Sequence, residues 1–242
     1  MLTYSFMQNA FAASGIVAVV AGVVGFFLVL RGQTFAGHAL SHVGFAGATG
    51  AVLIGIPPLA GMIVFTVAAG LGMGVLGERI KARDVAVGIL LSLSLGLGLL
   101  FLHFYTAYAT QVTALLFGNI LGVDGRTAWY LFALGLVSLL ALAAISRPLL
   151  FASLQPELAE AKGVSLSFVS LLFLAIVALT VAECAQIVGI LLVFTLMVGP
   201  AATITRVRLI SVTYADGSVW HPSSEDVCSV EPSKYMLVEA KR

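Results

Sequence analysis

Seven stretches almost free of charged residues dominate this chain and restrict what it can fold into. They lie at about residues 10–30, 38–56, 58–77, 85–103, 127–146, 165–182 and 185–204. A helix that crosses the hydrocarbon core of a bilayer needs about 20 apolar residues. Hydrophobic residues make up 60% of the 242, which is well above the usage of soluble domains. The sequence therefore predicts an all-α, polytopic membrane protein with about seven transmembrane helices.

Basic side chains fall on alternate connections between these stretches, and this predicts an orientation. With the N-terminus outside, the outer loops hold only Arg126, and the cytoplasmic loops hold Arg31, Arg79, Lys81, Arg83, Arg147, Lys162, Arg206 and Arg208. Lys and Arg are enriched on the cytoplasmic side of membrane proteins. We therefore expect a multi-pass protein of the cell's inner membrane with an outside N-terminus. Residues 104–126 then lie outside, where the apolar piece 115–122 is too short to span and is predicted to be re-entrant or interfacial.

The composition becomes polar after about Arg208, which divides the chain into two predicted regions. Residues 1–208 form the transmembrane domain, and residues 209–242 form a polar tail that cannot span. Polar and apolar residues alternate around Asp216 and Gly217 in this tail, and Asp-Gly is a hairpin signal. We expect the tail to be cytoplasmic, and weakly ordered unless its segments pair.

Two histidines one helical turn apart, His38 and His42, are the strongest candidates for a functional site. Residues at i and i+4 share one face of a helix, and imidazole is the commonest side-chain ligand for transition metals. Two interpretations remain open: the rings bind a metal ion, or they form hydrogen bonds to carbonyl groups and pack. As ligands, two imidazoles and water would suit zinc, manganese or ferrous iron without choosing among them.

Other polar or small residues admit both a structural and a functional interpretation. Gly44 and Gly47, on the same predicted helix as the histidines, suit close helix packing, or a strip that lines a narrow pore. Glu183 is expected at an outer turn, exposed to solvent. The cytoplasmic segment 154–163 is predicted to be a short helix, which lies on lipid headgroups or docks a soluble partner. Its candidate docking residues are Gln155, Pro156, Glu157, Leu158, Ala159, Glu160 and Gly163.

Several classes of function are disfavoured by what the sequence lacks. No GxxxxGK[ST] phosphate loop, HExxH or GxSxG motif occurs, so we expect the chain not to be an enzyme. A net charge of +1 gives no reason to expect nucleic acid as a partner. Cys184 and Cys228 are isolated and form no disulfide framework.

Four blocks together resemble the permease subunits of metal-ion ABC importers of the zinc, manganese and iron uptake family. They cover roughly residues 4–206 in the family's order: residues 6–31; residues 37–42, where the family usually has Gly-Asp-Ala-Leu-Ser-His; residues 116–121; and residues 155–163 followed by 188–193 and 199–203. The resemblance implies a homodimer in the bilayer, a separate cytoplasmic ATP-binding subunit and an extracytoplasmic metal-binding protein. It implies a transported divalent ion and no permanently bound cofactor.

The resemblance also assigns roles to particular residues. The family's aspartate–histidine pair, implicated in the metal path, corresponds to His38 and His42, and residues 155–163 correspond to the helix that couples to the ATPase. Two departures stand out: histidine replaces the aspartate at position 38, and a polar tail follows where the family continues with another span. A stand-alone metal channel or secondary carrier, and a truncated remnant that does not transport, are the alternative hypotheses.

The orientation predicts which positions an impermeant thiol reagent can reach in intact cells. In a background without Cys184 and Cys228, a cysteine at Lys81 or Glu160 should stay unlabelled, because both loops are predicted to face the cytoplasm. A cysteine at Arg126 is the matched control and should be labelled. Labelling at Lys81 or Glu160 before lysis would contradict the orientation.

Overall fold

The computed structural model describes residues 5–79, 83–104, 116–154, 159, 162 and 165–202, and four two-residue strands farther on. Seven long helices occur within these residues. In chain order, α1 to α7 are Ser5–Leu30, Thr34–Leu53, Pro58–Arg79, Arg83–His103, Gly125–Leu154, Leu166–Val188 and Ile190–Ala202. A short 3-10 turn, Ile120–Gly122, precedes α5. The all-α class predicted from the sequence is confirmed.

The second and sixth helices form the interior of the bundle. α2 packs against α3, α4, α6 and α7, and α6 packs against α1, α3 and α5 as well. Thirteen of the twenty residues of α2 are buried, whereas α4 and α5 expose many large apolar side chains, as lipid-facing helices do. The arrangement places the histidine-bearing helix among other helices.

Five helices in the described part of the chain are long and apolar enough to cross a bilayer, fewer than the seven expected. These spans are Phe6–Leu30, Pro58–Leu76, Asp84–His103, Gly125–Leu154 and Leu166–Val188. α2 is not among them because its histidines and glycines lower its hydropathy, which a helix surrounded by protein can accommodate. α7 has only 13 residues, and its apolar part, Ile190–Gly199, is too short.

The expected break between the last two spans, at residues 183–184, is wrong. α6 continues through Glu183 to Val188, and the chain turns at Gly189, where φ is 82°. A positive φ is accessible to glycine without the steric penalty that a Cβ brings. Glu183, expected in solvent, is completely buried within α6. The charge of Glu183 predicted the end of the helix, but the helix continues to Val188 and ends where the backbone turns at Gly189.

The ends of α5 also differ from the expected span 127–146. Asp124 caps the start of α5, where its carboxylate accepts a 3.0 Å hydrogen bond from the Thr127 amide. Hydrogen bonding from Thr127 lowers the pKa of Asp124. At the other end the helix continues past Arg147 and Pro148 to Leu154, so the first part of the expected cytoplasmic loop is helical.

Short strands occur in the tail. Val212–Thr213 pairs antiparallel with Val219–Trp220. The hairpin turn predicted at Asp216 and Gly217 lies outside the described residues and stays a prediction. Val207–Arg208 pairs antiparallel with Ser229–Val230. The division into a membrane domain and a cytoplasmic tail stays a prediction.

A close contact between backbones holds α2 against α3. A methyl group added to Gly47 would overlap the carbonyl oxygen of Gly61 and lie 2.7 Å from the Phe65 Cβ. A methyl group on Gly61 would in turn overlap the carbonyl oxygen of Gly47 and the Ala51 Cβ. Small residues permit this approach, and dispersion forces and packing then stabilise helix association in lipid.

Replacing Gly47 with alanine should therefore destabilise the protein, because the new methyl group meets backbone atoms that cannot rotate away. Overpacking of this kind costs about 1–3 kcal/mol. Gly96, on α4, is the matched control: a Cβ there meets nothing within 4 Å, so Gly96→Ala should be neutral or stabilising. Thermal unfolding in detergent measures both variants. Equal melting temperatures for them would contradict the contact.

Candidate metal site

His38 and His42 lie side by side on α2, as their spacing predicted. Their ring centroids are 4.8 Å apart, and the rings meet edge to face at 83°. Both side chains are half-buried. The Ser41 hydroxyl donates a 2.6 Å hydrogen bond to the His38 carbonyl oxygen, so it is held on its own helix rather than directed at the rings. The helix brings two imidazoles to one place.

A third aromatic ring comes from α7. The Phe194 ring lies with its centroid 5.1 Å from that of His38, at an interplanar angle of 73°. α7 is held close by α1, since a methyl group on Gly25 would overlap the Met197 carbonyl oxygen. Sequence reasoning missed Phe194, because one phenylalanine in an apolar stretch carries no signal of the helix it will contact.

The direction of α7 depends on a close backbone contact between Gly118 and Gly189. Gly118 and Gly189 both have positive φ angles, 79° and 82°. A Cβ on Gly118 would lie 2.6 Å from the Gly189 nitrogen and would overlap the Ile187 carbonyl oxygen. The segment before α5 therefore packs directly on the break between α6 and α7. Because α7 starts at this break, the contact also helps to place Phe194 beside His38.

The two glycines proposed to line a pore are both buried. Gly47 packs on Gly61, as described above, and a Cβ on Gly44 would make an ordinary 3.5 Å contact with the Thr66 Cγ2. These contacts agree with the packing interpretation of the glycine strip. A role of Gly44 and Gly47 in a pore stays a prediction.

Most of the segment predicted to dock a partner lies outside the described residues, namely Gln155, Pro156, Glu157, Leu158, Glu160 and Gly163. Ala159 is helical and fully buried. The Lys162 ammonium lies 5.6 Å from the centroid of the Phe151 ring, near the end of α5. Lys162 thus contacts the end of α5, and the docking role of the segment stays a prediction.

The histidine pair can supply only part of the ligand set of a metal ion. Among the described residues there is no group of three or more His, Cys, Asp or Glu side chains that could hold a metal ion. Two imidazole nitrogens would leave the remaining coordination positions to water or to other groups. Incomplete coordination suits an ion that has to leave again, because a conducting site must bind weakly enough to release it.

Comparison with known proteins places this arrangement in a family. Residues 3–210 match the model of the ABC 3 transport family. A manganese transport system membrane protein, MntC of Listeria monocytogenes, is 31% identical over 84% of this chain and 72% of its own length. A probable metal transport system membrane protein of Treponema pallidum is 35% identical, over 86% of this chain and 79% of its own length.

Solved structures show the same fold. PsaBC from Streptococcus pneumoniae, solved in complex with a Fab, matches with a TM-score of 0.72 and 31% identity, over 83% of this chain and 73% of that one. A metal-chelate type ABC transporter in an inward-facing conformation matches with a TM-score of 0.54 and 19% identity, over 77% of this chain and 72% of that one. The latter supports the fold alone. With 208 consecutive residues matched, this multi-pass membrane protein belongs to the ABC 3 transport family.

Proposed function

We propose that this chain is the membrane permease of an ABC importer for divalent metal ions, and that His38 and His42 bind the ion during its passage. The observation that carries this proposal is the pairing of two half-buried imidazoles, with ring centroids 4.8 Å apart, on an interior helix of an ABC 3 family protein. Ionisable side chains inside membrane domains commonly mark ion or substrate paths. Family membership favours this function over a stand-alone channel or secondary carrier.

Manganese is the transported ion that the relatives favour. MntC of Listeria monocytogenes is named as a manganese transport system membrane protein, and ScaB of Streptococcus gordonii as a manganese import system permease protein. Imidazole nitrogen binds manganese less tightly than later transition metals, so binding here would be reversible. His38 stands where the resemblance predicts aspartate, which removes a hard, negatively charged ligand. The loss of that ligand favours zinc or iron as competitors, whereas the names of the two relatives lead us to propose manganese as the main substrate.

The energy for import would come from other chains. The sequence contains no phosphate-binding loop, so we propose that a separate ATP-binding subunit docks on the cytoplasmic side of a homodimer. A metal-binding protein would deliver the ion from outside. The segment 155–163 is the proposed contact with the ATPase.

The histidine pair makes a direct prediction about uptake. His42→Ala should abolish uptake of radiolabelled manganese, and His38→Ala should weaken it at least tenfold or change the preferred metal, because each removes an imidazole ligand. His38→Asp should retain transport and shift the preference toward manganese, since a carboxylate is the harder ligand. The measurement is uptake into cells that also express the ATPase and the binding protein.

His103→Ala is the matched control for these variants. His103 is exposed at the end of α4 and lies against Phe104 rather than against the pair, so its loss should leave uptake unchanged. If the double variant His38→Ala/His42→Ala transports at the wild-type rate with normal membrane levels, the histidines are packing residues and the proposed metal path is wrong.

The proposed coupling segment can be tested by reversing one charge. Glu157→Arg should reduce both uptake and co-purification of the ATPase at least tenfold, while the membrane level stays normal. Ala159→Trp would mainly test packing, because Ala159 is fully buried. Arg126→Glu reverses an exposed charge at the opposite end of α5 and should leave both uptake and ATPase co-purification unchanged. Unchanged co-purification in Glu157→Arg would favour a helix that lies on headgroups.

A further inference from the structure

A second polar cluster lies inside the bundle, apart from the histidine pair. The side chain of Glu183 on α6 is directed at α5 and α1: a methyl group on Gly135 would lie 2.8 Å from the Glu183 Oε1, 2.9 Å from the Val20 Cγ2 and 3.2 Å from the Ile16 Cγ2. Glu183 is completely buried. Among the described residues, neither carboxyl oxygen has a hydrogen-bond partner. The absence of a Cβ at Gly135 makes room for this carboxyl group.

Helix register predicts two hydroxyl groups within one turn of the carboxyl group. Ser138 is one turn beyond Gly135 on the buried face of α5, and Thr180 is one turn before Glu183 on α6. α5 and α6 are consecutive and pack against each other. In an antiparallel pair, three residues forward on α5 and three residues back on α6 reach the same level of the bundle. Both side chains are completely buried, and within the described structure neither hydroxyl has a hydrogen-bond partner.

Other buried hydroxyls of this protein behave differently. Thr66 donates a 2.7 Å hydrogen bond to the Met62 carbonyl oxygen, and Ser94 donates one of 2.6 Å to the Leu90 carbonyl oxygen. Such bonds to the preceding turn are the usual solution for a hydroxyl in a buried helix. Ser138 and Thr180 do not use it, so their oxygens remain available to a ligand between the helices.

Electrostatics restricts what that ligand can be. No basic residue occurs in the sequences of α1, α6 or α7. On α5, Arg126 and Arg147 are nine and twelve residues from Gly135, which corresponds to roughly 14 and 18 Å along a helix. A buried carboxylate without a counter-charge is strongly disfavoured. Water alone would leave the charge unbalanced and a divalent ion would reverse it, so the neutralising partner is either a proton or a monovalent cation.

We propose that Glu183, Ser138 and Thr180 form a binding site for a small monovalent cation, with sodium as the expected occupant, between α1, α5 and α6. One carboxylate neutralises one such charge, and carboxylate and hydroxyl oxygens are hard ligands that suit a hard cation. This site goes beyond the proposed transport function and shares no residue with the histidine pair. Bound sodium would link α5 to α6, so it should stabilise the folded state by mass action.

The test is the melting temperature of the full-length chain in lipid nanodiscs, in sodium chloride and in choline chloride at equal ionic strength and pH. Sodium should raise the melting temperature of the wild type in a saturable way, and Glu183→Gln should abolish the response. Ser138→Ala and Thr180→Val should each need at least tenfold more sodium for the half-maximal shift. Thr66→Val, whose hydroxyl bonds to its own helix, should respond as the wild type does.

Two results would overturn the site. The first is a wild type whose melting temperature is the same in both salts. If acidification alone then raises the melting temperature, water and a proton occupy the cluster instead of sodium. The second is a sodium response that persists in Glu183→Gln. If that variant fails to accumulate, an unchanged sodium midpoint in both Ser138→Ala and Thr180→Val would also contradict the proposal.

Discussion

The contact between α2 and α3 is the constraint on which the rest of this structure depends. It exists because Gly47 and Gly61 let two backbones touch, and it holds α2 within the bundle where lipid cannot reach most of its surface. Only a helix enclosed by protein can carry two histidines, a serine and four glycines through a membrane domain at an acceptable free-energy cost. The enclosure therefore allows the histidine pair to lie inside the membrane domain.

A second close backbone contact links the segment before α5 to the surroundings of the histidine pair. Gly118 and Gly189, both with positive φ, meet where α6 ends and α7 begins. Through α7 this contact connects the segment before α5 with Phe194 and so with the His38 ring. A movement of that segment would change the surroundings of the imidazoles. The geometry thus joins a predicted outer region to the histidine pair by direct packing.

Much of this arrangement could be predicted from the sequence, but only where the signal was local. Apolar stretches indicated the helices, and the i, i+4 spacing put His38 and His42 on one face. Glu183 was misplaced because a charge normally marks a helix end, whereas α6 buries it between helices. Phe194, Ser138 and Thr180 could not be recognised, since their roles arise from contacts between helices that no local pattern encodes.

The central claim is that the paired imidazoles of α2 bind the transported ion. The most direct measurement is a crystal structure of the protein soaked in manganese, with the metal located by its anomalous scattering. If the pair binds the ion, an anomalous peak will lie within coordination distance of one nitrogen of each ring, with the rings turned from their edge-to-face contact toward the ion. A peak elsewhere in the bundle, with His38 and His42 still packed edge to face, would contradict it.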